Sequence, residues 1–369
     1  MPLLYIGLMS GTSLDGVDGV LVSFQAQQPH VLSHQALPFD EPLQRSLLAL
    51  NSTGHNELHL AALAANRVVR MYAQTVHALL QDAGYRAQDI RAIGAHGQTV
   101  RHQPGAFDGT GYTLQLNNPS LLAELTGIDV VADFRSRDVA AGGQGAPLVP
   151  LFHHHMFAND SRTVCVLNLG GIANLSVLSP SGDVQGFDCG PGNALLDHWC
   201  QQHTGQAFDR NGAWGRTGQV IAPLLHALLD EPFLQQAPPK STGRDLFNPS
   251  WLNKRLDRFD ALAPADVQAT LTQFTTLACV QDVLRHAPNA QELLVCGGGA
   301  LNGGLMTRLQ SELPKVKVLS TAERGLPPLQ VEAAAFAWLA RQTLLRLPGN
   351  SPKVTGAQGA RILGGVFPA

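Results

Sequence analysis

The stretch that decides the fold is Leu3–Phe24, LLYIGLMSGTSLDGVDGVLVSF. Two apolar runs, Leu3–Met9 and Val17–Phe24, flank a turn of small and polar residues. This pattern predicts a strand, a tight loop and an antiparallel return strand. The turn, Ser10–Gly16, combines glycine N–H groups with three hydroxyls, and successive backbone donors of this kind form an anion-binding concavity. The stretch therefore predicts a hairpin that can hold a phosphate chain.

Two carboxylates in this hairpin, Asp15 and Asp18, would repel a phosphate unless a divalent cation lay between them. They therefore point to a hard metal such as Mg²⁺. The alternative is a structural hairpin in which the glycines only allow the turn geometry. The stretch alone does not decide between the two interpretations.

The composition is that of a soluble globular protein, with 369 residues of which 44% are hydrophobic and 14% charged. This length exceeds what one hydrophobic core usually supports, so two lobes are expected. The net charge of −3 gives no global basis for binding nucleic acid or a membrane surface. The start lacks the basic region of a secretory signal, and no apolar run of about 18 residues occurs, so a cytoplasmic protein without a membrane span is expected.

Cysteine and histidine spacing does not predict a metal site. The five cysteines are scattered without CxxC spacing, which is typical of reduced, buried thiols. The triplet His153–His155 is consecutive, and consecutive side chains do not face one way on a helix or strand. We therefore expect structural or surface histidines there.

After the hairpin, the first half alternates strands with helices. Glu57–Ala83 carries apolar residues at helical spacing, and Gly84 suits the position after its end. Pro119 is suited to the first position of the next helix. The predicted elements are strands His30–Phe39, Asp89–Ala95, Tyr112–Leu116 and Ile128–Ala132, and helices Glu57–Ala83 and Ser120–Thr126.

The second half repeats this order, again beginning with a glycine-broken hairpin. Both halves read βββαβαβ, which is a duplication of topology without a residue-level repeat. The sequence therefore predicts an α/β protein with duplicated βββαβαβ lobes and an active-site cleft between them. The predicted elements are strands Thr163–Leu169, Ile172–Leu178, Val184–Phe187, Glu292–Cys296 and Lys315–Leu319, a helix opened by Gly190–Asn193, and helices Pro264–His286, Gly303–Leu313 and Glu332–Leu345.

The domain boundaries follow from composition. Glycine and proline cluster after residue 142, so we place the first lobe at 1–158 and the second at 159–345. A polar, proline-punctuated excursion at about 205–263 interrupts the second lobe, and its role is left open. The tail, 346–369, is predicted to pack back on the first lobe.

Polar residues collect just past the carboxyl ends of the predicted strands, where open α/β sheets bind ligands. Asp188 is the strongest candidate for a general base, because it follows an apolar strand and precedes a Gly-Pro-Gly turn. Its alternative role is that of a helix N-cap. Arg135 can pair bidentately with a substrate carboxylate, or form a structural ion pair with Asp133 or Asp138.

The remaining candidates have structural alternatives of similar weight. His96, Gln98 and Thr99 offer partners for sugar hydroxyls or form a structural loop. Glu332 begins a helix, where the helix dipole alone explains an acidic residue. Two glycine clusters offer backbone donors to a phosphate chain or serve plain turns, namely Gly170 with Gly171 and Gly297 with Gly298 and Gly299.

Two familiar nucleotide motifs are missing from the sequence. It has no GxxxxGK[ST] stretch, which excludes a P-loop, and no GxGxxG fingerprint in a βαβ unit. Any nucleotide site must therefore be built differently.

Six motifs together, spread over essentially the whole chain, resemble those of the anhydro-N-acetylmuramic acid kinase family. This family belongs to the actin/hexokinase/Hsp70-like ATPases, which have ribonuclease H-like lobes, so the resemblance implies the duplicated fold predicted above. The motifs are GLMSGTSLDGVDG, GAHGQTVRHQP, DFRSRDVAAGGQGAPLVP, LNLGGIANLSVL, GFDCGPGNALLD and VCGGGALNGGLM.

The resemblance also implies a reaction. ATP, with Mg²⁺, would phosphorylate O6 of 1,6-anhydro-N-acetylmuramic acid while water opens the anhydro ring, giving N-acetylmuramic acid 6-phosphate and ADP in cell-wall (peptidoglycan) recycling. A homodimer is implied as well. The catalytic aspartate falls on Asp188, and Asp15 and Asp188 would be the metal-side carboxylates, directly or through water. Sugar-pocket residues fall on His96, Thr99, Arg135 and Glu332, and the ATP-binding stretch on Gly11, Thr12, Ser13, Leu14, Asp15, Gly16, Val17 and Asp18.

Two other functions fit the same fold. One is a nucleotide-switched binding protein, such as a chaperone or filament subunit, and the other is a hexose kinase acting on a free 6-hydroxyl. One ATPase scaffold can host all three, so the fold does not choose among them.

Overall fold

The structure is a computed structural model that describes residues 3–24, 29–243 and 246–369. Its strands are β1 Leu4–Ser10, β2 Gly16–Ser23, β3 His30–Pro38, β4 Ile90–Pro104, β5 Gly111–Leu116, β6 Val130–Ala132, β7 Thr163–Leu169, β8 Ile172–Leu178, β9 Val184–Pro191, β10 Ala290–Cys296, β11 Lys317–Ser320 and β12 Gly365–Phe367. Its α-helices are α1 Glu41–Ala49, α2 Glu57–Ala83, α3 Pro119–Thr126, α4 Ser136–Ala140, α5 Val149–Phe157, α6 Ala194–Thr204, α7 Ala222–Leu229, α8 Pro249–Leu256, α9 Pro264–His286, α10 Gly303–Glu312, α11 Val331–Leu344 and α12 Pro352–Thr355.

The chain forms two compact units. The first comprises the described residues up to Met156 together with Gln330–Ala369, and the second is Phe157–Leu329. Each contains one sheet and one main apolar core.

The two sheets repeat the same core of five strands. In the first unit the order is β6-β4-β1-β2-β3, with β12 added at the β6 edge and β5 paired to β4. In the second unit the order is β11-β10-β7-β8-β9. In both, the opening hairpin is antiparallel and the next strands pair in parallel on its far side. The predicted duplication of βββαβαβ topology is therefore confirmed.

Local sequence signals placed the main elements closely. The first hairpin pairs Leu4 with Ser23 and Met9 with Asp18. Helix α2 has the predicted bounds, and Gly84 ends it with a φ of 71°, in the left-handed region where glycine is favoured. Pro119 and Pro264 occupy first-turn positions of α3 and α9.

Two strands run further than predicted. Strand β4 continues through His96–Thr99 to Pro104, because β5 pairs with it from Gln98 onward. Strand β9 continues through Asp188 to Pro191, with Asp188 opposite Asn174 in β8. These polar residues therefore lie within the sheets rather than past the strand ends, and Asp188 is not an N-cap.

The final long helix also differs from its predicted place. Helix α11, assigned from sequence to the second lobe, packs on β1 and β4 in the first unit. Gly7 and Gly94 are neighbours in the paired strands, and a Cβ on either would overlap a backbone carbonyl oxygen of α11. These two glycines let the alanine-rich helix lie directly on the sheet, which is the physical reason for the corrected boundary.

The tail follows α11 within the first unit. Strand β12 pairs antiparallel with β6, with Val366 opposite Val131. Within the described parts of the chain, no helix is long and apolar enough to cross a membrane.

Candidate active site

The first glycine turn is fixed by backbone geometry. The N–H of Leu14 donates to the carbonyl of Gly11 at 3.2 Å, and Leu14 itself has a φ of 63°. Gly16 lies so close to β3 that a Cβ would overlap the carbonyl oxygen of Leu37. This glycine therefore serves strand pairing, while a Cβ at Gly11 would meet nothing closer than Oγ of Ser13 at 3.6 Å.

The side chains of this turn divide into two groups. Leu14 and Val17 are buried in the core, so they can reach a ligand only through their backbone groups. Thr12 and Asp15 are exposed, and Ser13 and Asp18 are half-buried. The turn therefore presents hydroxyls, backbone and carboxylates on one exposed stretch of chain.

A buried polar network ties the turn to β4. The hydroxyl of Tyr72 in α2 lies 2.9 Å from Oγ of Ser10 and accepts from the N–H of Gly97 at 3.0 Å. Burial raises the pKa of Tyr72, so this hydroxyl stays protonated. Gln98 is fully buried, and its Nε2 donates to the carbonyl of Gly11 at 3.0 Å. Gln98 thus acts on the first turn directly.

His96 and Arg135 form a second group in the first unit. Nε2 of His96 accepts from Nε of Arg135 at 3.1 Å and lies 2.9 Å from its Nη2. Burial lowers the pKa of His96 strongly, and the positive charge of Arg135 lowers it further. The backbone of Ser10 and Gly97 opposes this lowering of the pKa without overcoming it. The ring is therefore neutral, with the proton on Nδ1. No hydrogen bond of ordinary geometry reaches Nδ1 from the described residues.

The guanidinium of Arg135 is held on a second side by Gly145. Nη1 donates to the Gly145 carbonyl at 2.8 Å. Burial lowers the pKa of Arg135 to about 10, opposed by the charges of Glu332 and Asp138. Arg135 is still charged at neutral pH. Of the two carboxylates considered as structural partners, Asp133 accepts from Ser136 instead, while the charge of Asp138 does act on Arg135.

Glu332 lies at the start of α11 and shares its surroundings with Arg135 and Asp18. Its pKa is raised by burial and by the charge of Asp18, and lowered by Arg135. Asp18 in turn lies 3.3 Å from Nε2 of His34. The first unit therefore brings Glu332, Arg135, His96 and Asp18 into one electrostatically coupled group.

The hairpin of β4 and β5 adds residues that sequence reasoning missed. Nε2 of Gln115 donates to Oγ1 of Thr99 at 3.2 Å and to Oγ1 of Thr113 at 2.8 Å. Thr113 also lies 2.9 Å from Nδ1 of His102, whose pKa is lowered to about 4, first by burial and then by Arg135. The motif GQTVRHQ lies within β4, where successive side chains point to opposite faces of the sheet. His102 could therefore have been identified from sequence if the strand had been extended through this motif.

Asp188 is the central titratable group of the second unit. Its Oδ2 accepts from the N–H of Thr242 at 2.9 Å, and its own N–H donates to the carbonyl of Lys240 at 3.1 Å. Burial raises the pKa of Asp188 to about 7, although the Thr242 N–H and the charge of Lys240 both lower it. This carboxyl therefore changes protonation near neutral pH.

The excursion at 205–263 supplies both of these partners. Lys240 is buried, and its Nζ lies 2.9 Å from Oδ2 of Asp282 in α9. The ammonium also lies 5.2 Å from the ring centre of Phe233 and 5.7 Å from that of Phe187. The role left open for this excursion includes fixing the segment beside Asp188.

Three glycine stretches meet in the second unit. The carbonyls of Gly170 and Gly171 accept from N–H groups of Gly192 and Asn193, and Nδ2 of Asn193 donates to the Leu169 carbonyl at 2.8 Å. A Cβ at Gly297, whose φ is 75°, would lie 2.9 Å from backbone atoms of Leu169, and one at Gly299 would lie 3.2 Å from Oδ1 of Asn193. Gly298 has nothing closer than 3.7 Å. The predicted glycines Gly170, Gly171 and Gly297–Gly299 are therefore adjacent.

The predicted metal-side carboxylates, Asp15 and Asp188, suit a cation that is bound together with phosphate oxygens and water rather than a cation held by protein side chains alone. Among residues 3–24, 29–243 and 246–369, no group of three or more His, Cys, Asp or Glu side chains could hold a metal. Mg²⁺ is commonly bound by one or two carboxylates plus phosphate oxygens and waters. Asp15 and Asp188, the two carboxylates predicted to face the metal, are of the right chemistry for that role. His153 is buried with a pKa lowered to about 3 by burial, while His155 is exposed, so these two do not face a common ion.

Two units that share one order of five core strands, each opening on a glycine-broken hairpin, define a duplicated α/β fold, the fold expected above for the actin/hexokinase-like ATPases. The sequence model of the family described as anhydro-N-acetylmuramic acid kinase matches residues 3–369. The chain belongs to this family, and it is a phosphotransferase.

Curated relatives agree over the full length. Anhydro-N-acetylmuramic acid kinase of Albidiferax ferrireducens is 61% identical over 386 residues, covering 99% of each chain. The protein of that name from Variovorax paradoxus is 60% identical, again covering 99% of each. A similar solved structure is the ROK hexokinase from Thermus thermophilus, 15% identical with a TM-score of 0.39 over 92% of this chain and 100% of that one. The family assignment rests on the sequence matches.

Proposed function

We propose that this chain uses ATP and water to convert 1,6-anhydro-N-acetylmuramic acid into N-acetylmuramic acid 6-phosphate and ADP. The observation that carries the proposal is Asp188, a carboxyl with a pKa near 7, held by backbone on both sides, in a chain that belongs to this kinase family throughout its length. A carboxyl of this pKa is suited to general-base work at neutral pH. The substrate is also the one in the names of its full-length relatives.

The chemistry of the substrate gives the base its task. In the anhydro sugar, O6 bridges to C1 and carries no proton, so there is no free hydroxyl to phosphorylate. Asp188 accepts a proton from water as that water forms a bond to C1. The C1–O6 bond breaks, and O6 takes the γ-phosphoryl group while ADP leaves. One base thus serves both ring opening and transfer.

Residues of the first unit are assigned to the sugar. Arg135 has five N–H groups, and after its bonds to His96 and Gly145 one remains on each terminal nitrogen. Two such groups can pair bidentately with the lactyl carboxylate. His96 is assigned to the same pocket because its Nε2 accepts from Arg135 and so helps to hold the guanidinium, and Gln98 and Thr99 lie on the same strand. Glu332, with its raised pKa, is suited to hydrogen bonding with a neutral hydroxyl.

The glycine turns are assigned to the nucleotide. Residues Gly11–Asp18 of the first unit offer backbone donors suited to phosphate oxygens, and so do Gly170, Gly171 and Gly297–Gly299 of the second unit. Mg²⁺, when bound with ATP, would neutralise phosphate charge, and Asp15 and Asp188 are the residues that would hold it, directly or through water. Family membership also supports a homodimer, a cytoplasmic location and a place in cell-wall recycling as parts of the proposal.

The test is a coupled assay of ADP release with and without the anhydro sugar, followed by identification of the product. We expect ADP release to depend on the anhydro sugar and the product to carry one phosphate at O6. Glucose and N-acetylglucosamine serve as controls with a free 6-hydroxyl. Robust turnover of those controls would favour an ordinary hexose kinase, and sugar-independent ATP turnover would favour a nucleotide-switched binding protein.

The pH dependence follows from the raised pKa of Asp188. A general base acts only when ionised, and this carboxyl becomes ionised near pH 7 rather than near 3.8. We therefore expect kcat/KM for the sugar to rise through about pH 7 and to level off above it. The pKa of His96 is lowered well below its usual value, so titration of His96 does not change kcat/KM in the range around pH 7. Profiles measured from about pH 5 to about pH 9 at constant ionic strength check this, and a flat profile would contradict it.

A further inference from the structure

We propose that Asn350 and Thr355 of the C-terminal tail are positioning residues for Arg135, acting through Asp138 and the carbonyl of Gly145. The inference rests on the proposed function, because it takes Arg135 as the group that receives the sugar carboxylate. It assigns to the tail a part in substrate recognition, although no tail residue is itself placed against the sugar.

The first link is a buried carboxylate that receives the tail. Asp138 in α4 is fully buried. Its Oδ1 accepts from Nδ2 of Asn350 at 2.5 Å and from Oγ1 of Thr355 at 2.7 Å. Asn350 and Thr355 are 3% and 1% exposed, so water does not replace these donors readily. A buried carboxylate is costly unless it is fully hydrogen-bonded, so these two contacts help to fix the orientation of the Asp138 side chain.

The second link joins Asp138 to the loop beside Arg135. Oδ2 of Asp138 accepts from the N–H of Gly145 at 2.7 Å. A Cβ at Gly143 would overlap this same Oδ2, so the loop is wrapped closely round the carboxylate. Gly145 has a φ of 69°, and its carbonyl accepts from Nη1 of Arg135 at 2.8 Å. The N–H and the carbonyl of one residue, Gly145, thus connect Asp138 to the guanidinium of Arg135.

The third link is a pair of backbone hydrogen bonds that join the tail to the loop around Gly145. The N–H of Gln144 donates to the carbonyl of Thr355, and the N–H of Gln358 donates to the carbonyl of Ala141, both at 2.8 Å. Asn350 is held in turn, because its Oδ1 accepts from the N–H of Arg361 at 2.6 Å. The tail is therefore fixed on both sides of the Asp138 contact, as a positioning element requires.

The test compares Thr355→Val with a matched control, Thr343→Val. Both remove a buried hydroxyl from the same unit, but Thr343 bonds the carbonyls of Leu339 and Leu363 and does not touch Asp138. For Thr355→Val we expect KM for the anhydro sugar to rise about tenfold, the size expected for losing one hydrogen bond to a charged group. We expect kcat and KM for ATP to change less than about twofold, and Thr355→Ser to restore KM.

Two further arms separate this inference from the proposed function. Arg135→Lys should raise KM for the sugar, and Thr355→Val should add little in that background, because both act through one group. If Arg135→Lys raises KM but Thr355→Val behaves like Thr343→Val, the positioning role is overturned while the proposed function stands. If Arg135→Lys leaves KM unchanged, the sugar-pocket assignment fails, and this inference fails with it. Should Thr355→Val not fold, Asn350→Ala removes the other donor and is expected to give the same split between KM and kcat.

Discussion

Replacing Asp188 by asparagine is expected to reduce sugar-dependent ADP release about a thousandfold, within the range by which general-base catalysis accelerates reactions. The change is isosteric. The amide oxygen can still accept from the N–H of Thr242, and the backbone bond to Lys240 is untouched. The variant therefore keeps the local structure and loses the carboxylate charge, and with it the ability to take a proton from water.

The measurement is kcat for ADP release with saturating anhydro sugar, together with the melting temperature of each variant. The matched control is Asp183→Asn, on the exposed turn that joins β8 to β9 in the same unit. We expect the control to keep wild-type kcat. An Asp188→Asn variant that folds normally and retains more than about a tenth of kcat would rule out Asp188 as the base.

Sequence predicted those parts of the fold that depend on local pattern. The first hairpin, α2 and α9 were placed to within a residue or two because apolar periodicity, glycine and proline act on their own neighbours. The extension of β4 through His96 was missed because its cause is β5, a strand that pairs with it from Gln98 onward. A polar strand end and a loop look alike until the partner is known.

The candidate site divides in the same way. Asp188, His96 and Arg135 were identified from motifs, and the functional roles given to them remain predictions. Thr242 and Lys240 were not identified, because they lie in an irregular excursion and reach Asp188 only through tertiary hydrogen bonds. Asn350 lies 212 residues from the carboxylate that it contacts, and no spacing rule connects the two.

The sequence analysis assigned α11 to the second lobe because this helix follows β11 of the second unit along the chain. The structure places it in the first unit. The signal for its true position lay elsewhere, in two glycines on paired strands and in the alanines of the helix. Gly7 and Gly94 leave a part of the sheet surface without side chains, and the backbone of α11 at Ala333 and Ala337 packs against Gly7 there. Such complementarity can be recognised only when strand register is known.

Gly7→Ala is therefore expected to destabilise the first unit by about 3 kcal/mol or more, although replacing glycine by alanine in a strand usually stabilises it slightly. The backbone at Gly7 does not have the positive φ that would strain an alanine. The cost is steric, since the added Cβ would overlap the carbonyl oxygen of Ala333 and lie 2.7 Å from the N of Ala337. Backbone atoms cannot turn away as a flexible side chain can, so the whole helix must shift.

The change is measured by urea unfolding and by hydrogen exchange of the α11 amides. Gly54→Ala is the matched control, because a Cβ there has nothing within 4 Å and the backbone φ suits alanine. Its unfolding free energy is expected to stay within about 0.5 kcal/mol of wild type. If Gly7→Ala were as stable as this control, with α11 equally protected, the helix could not lie directly on β1.

Glu332 lies in the first turn of that helix, so the same packing fixes the position of this proposed sugar-pocket carboxyl.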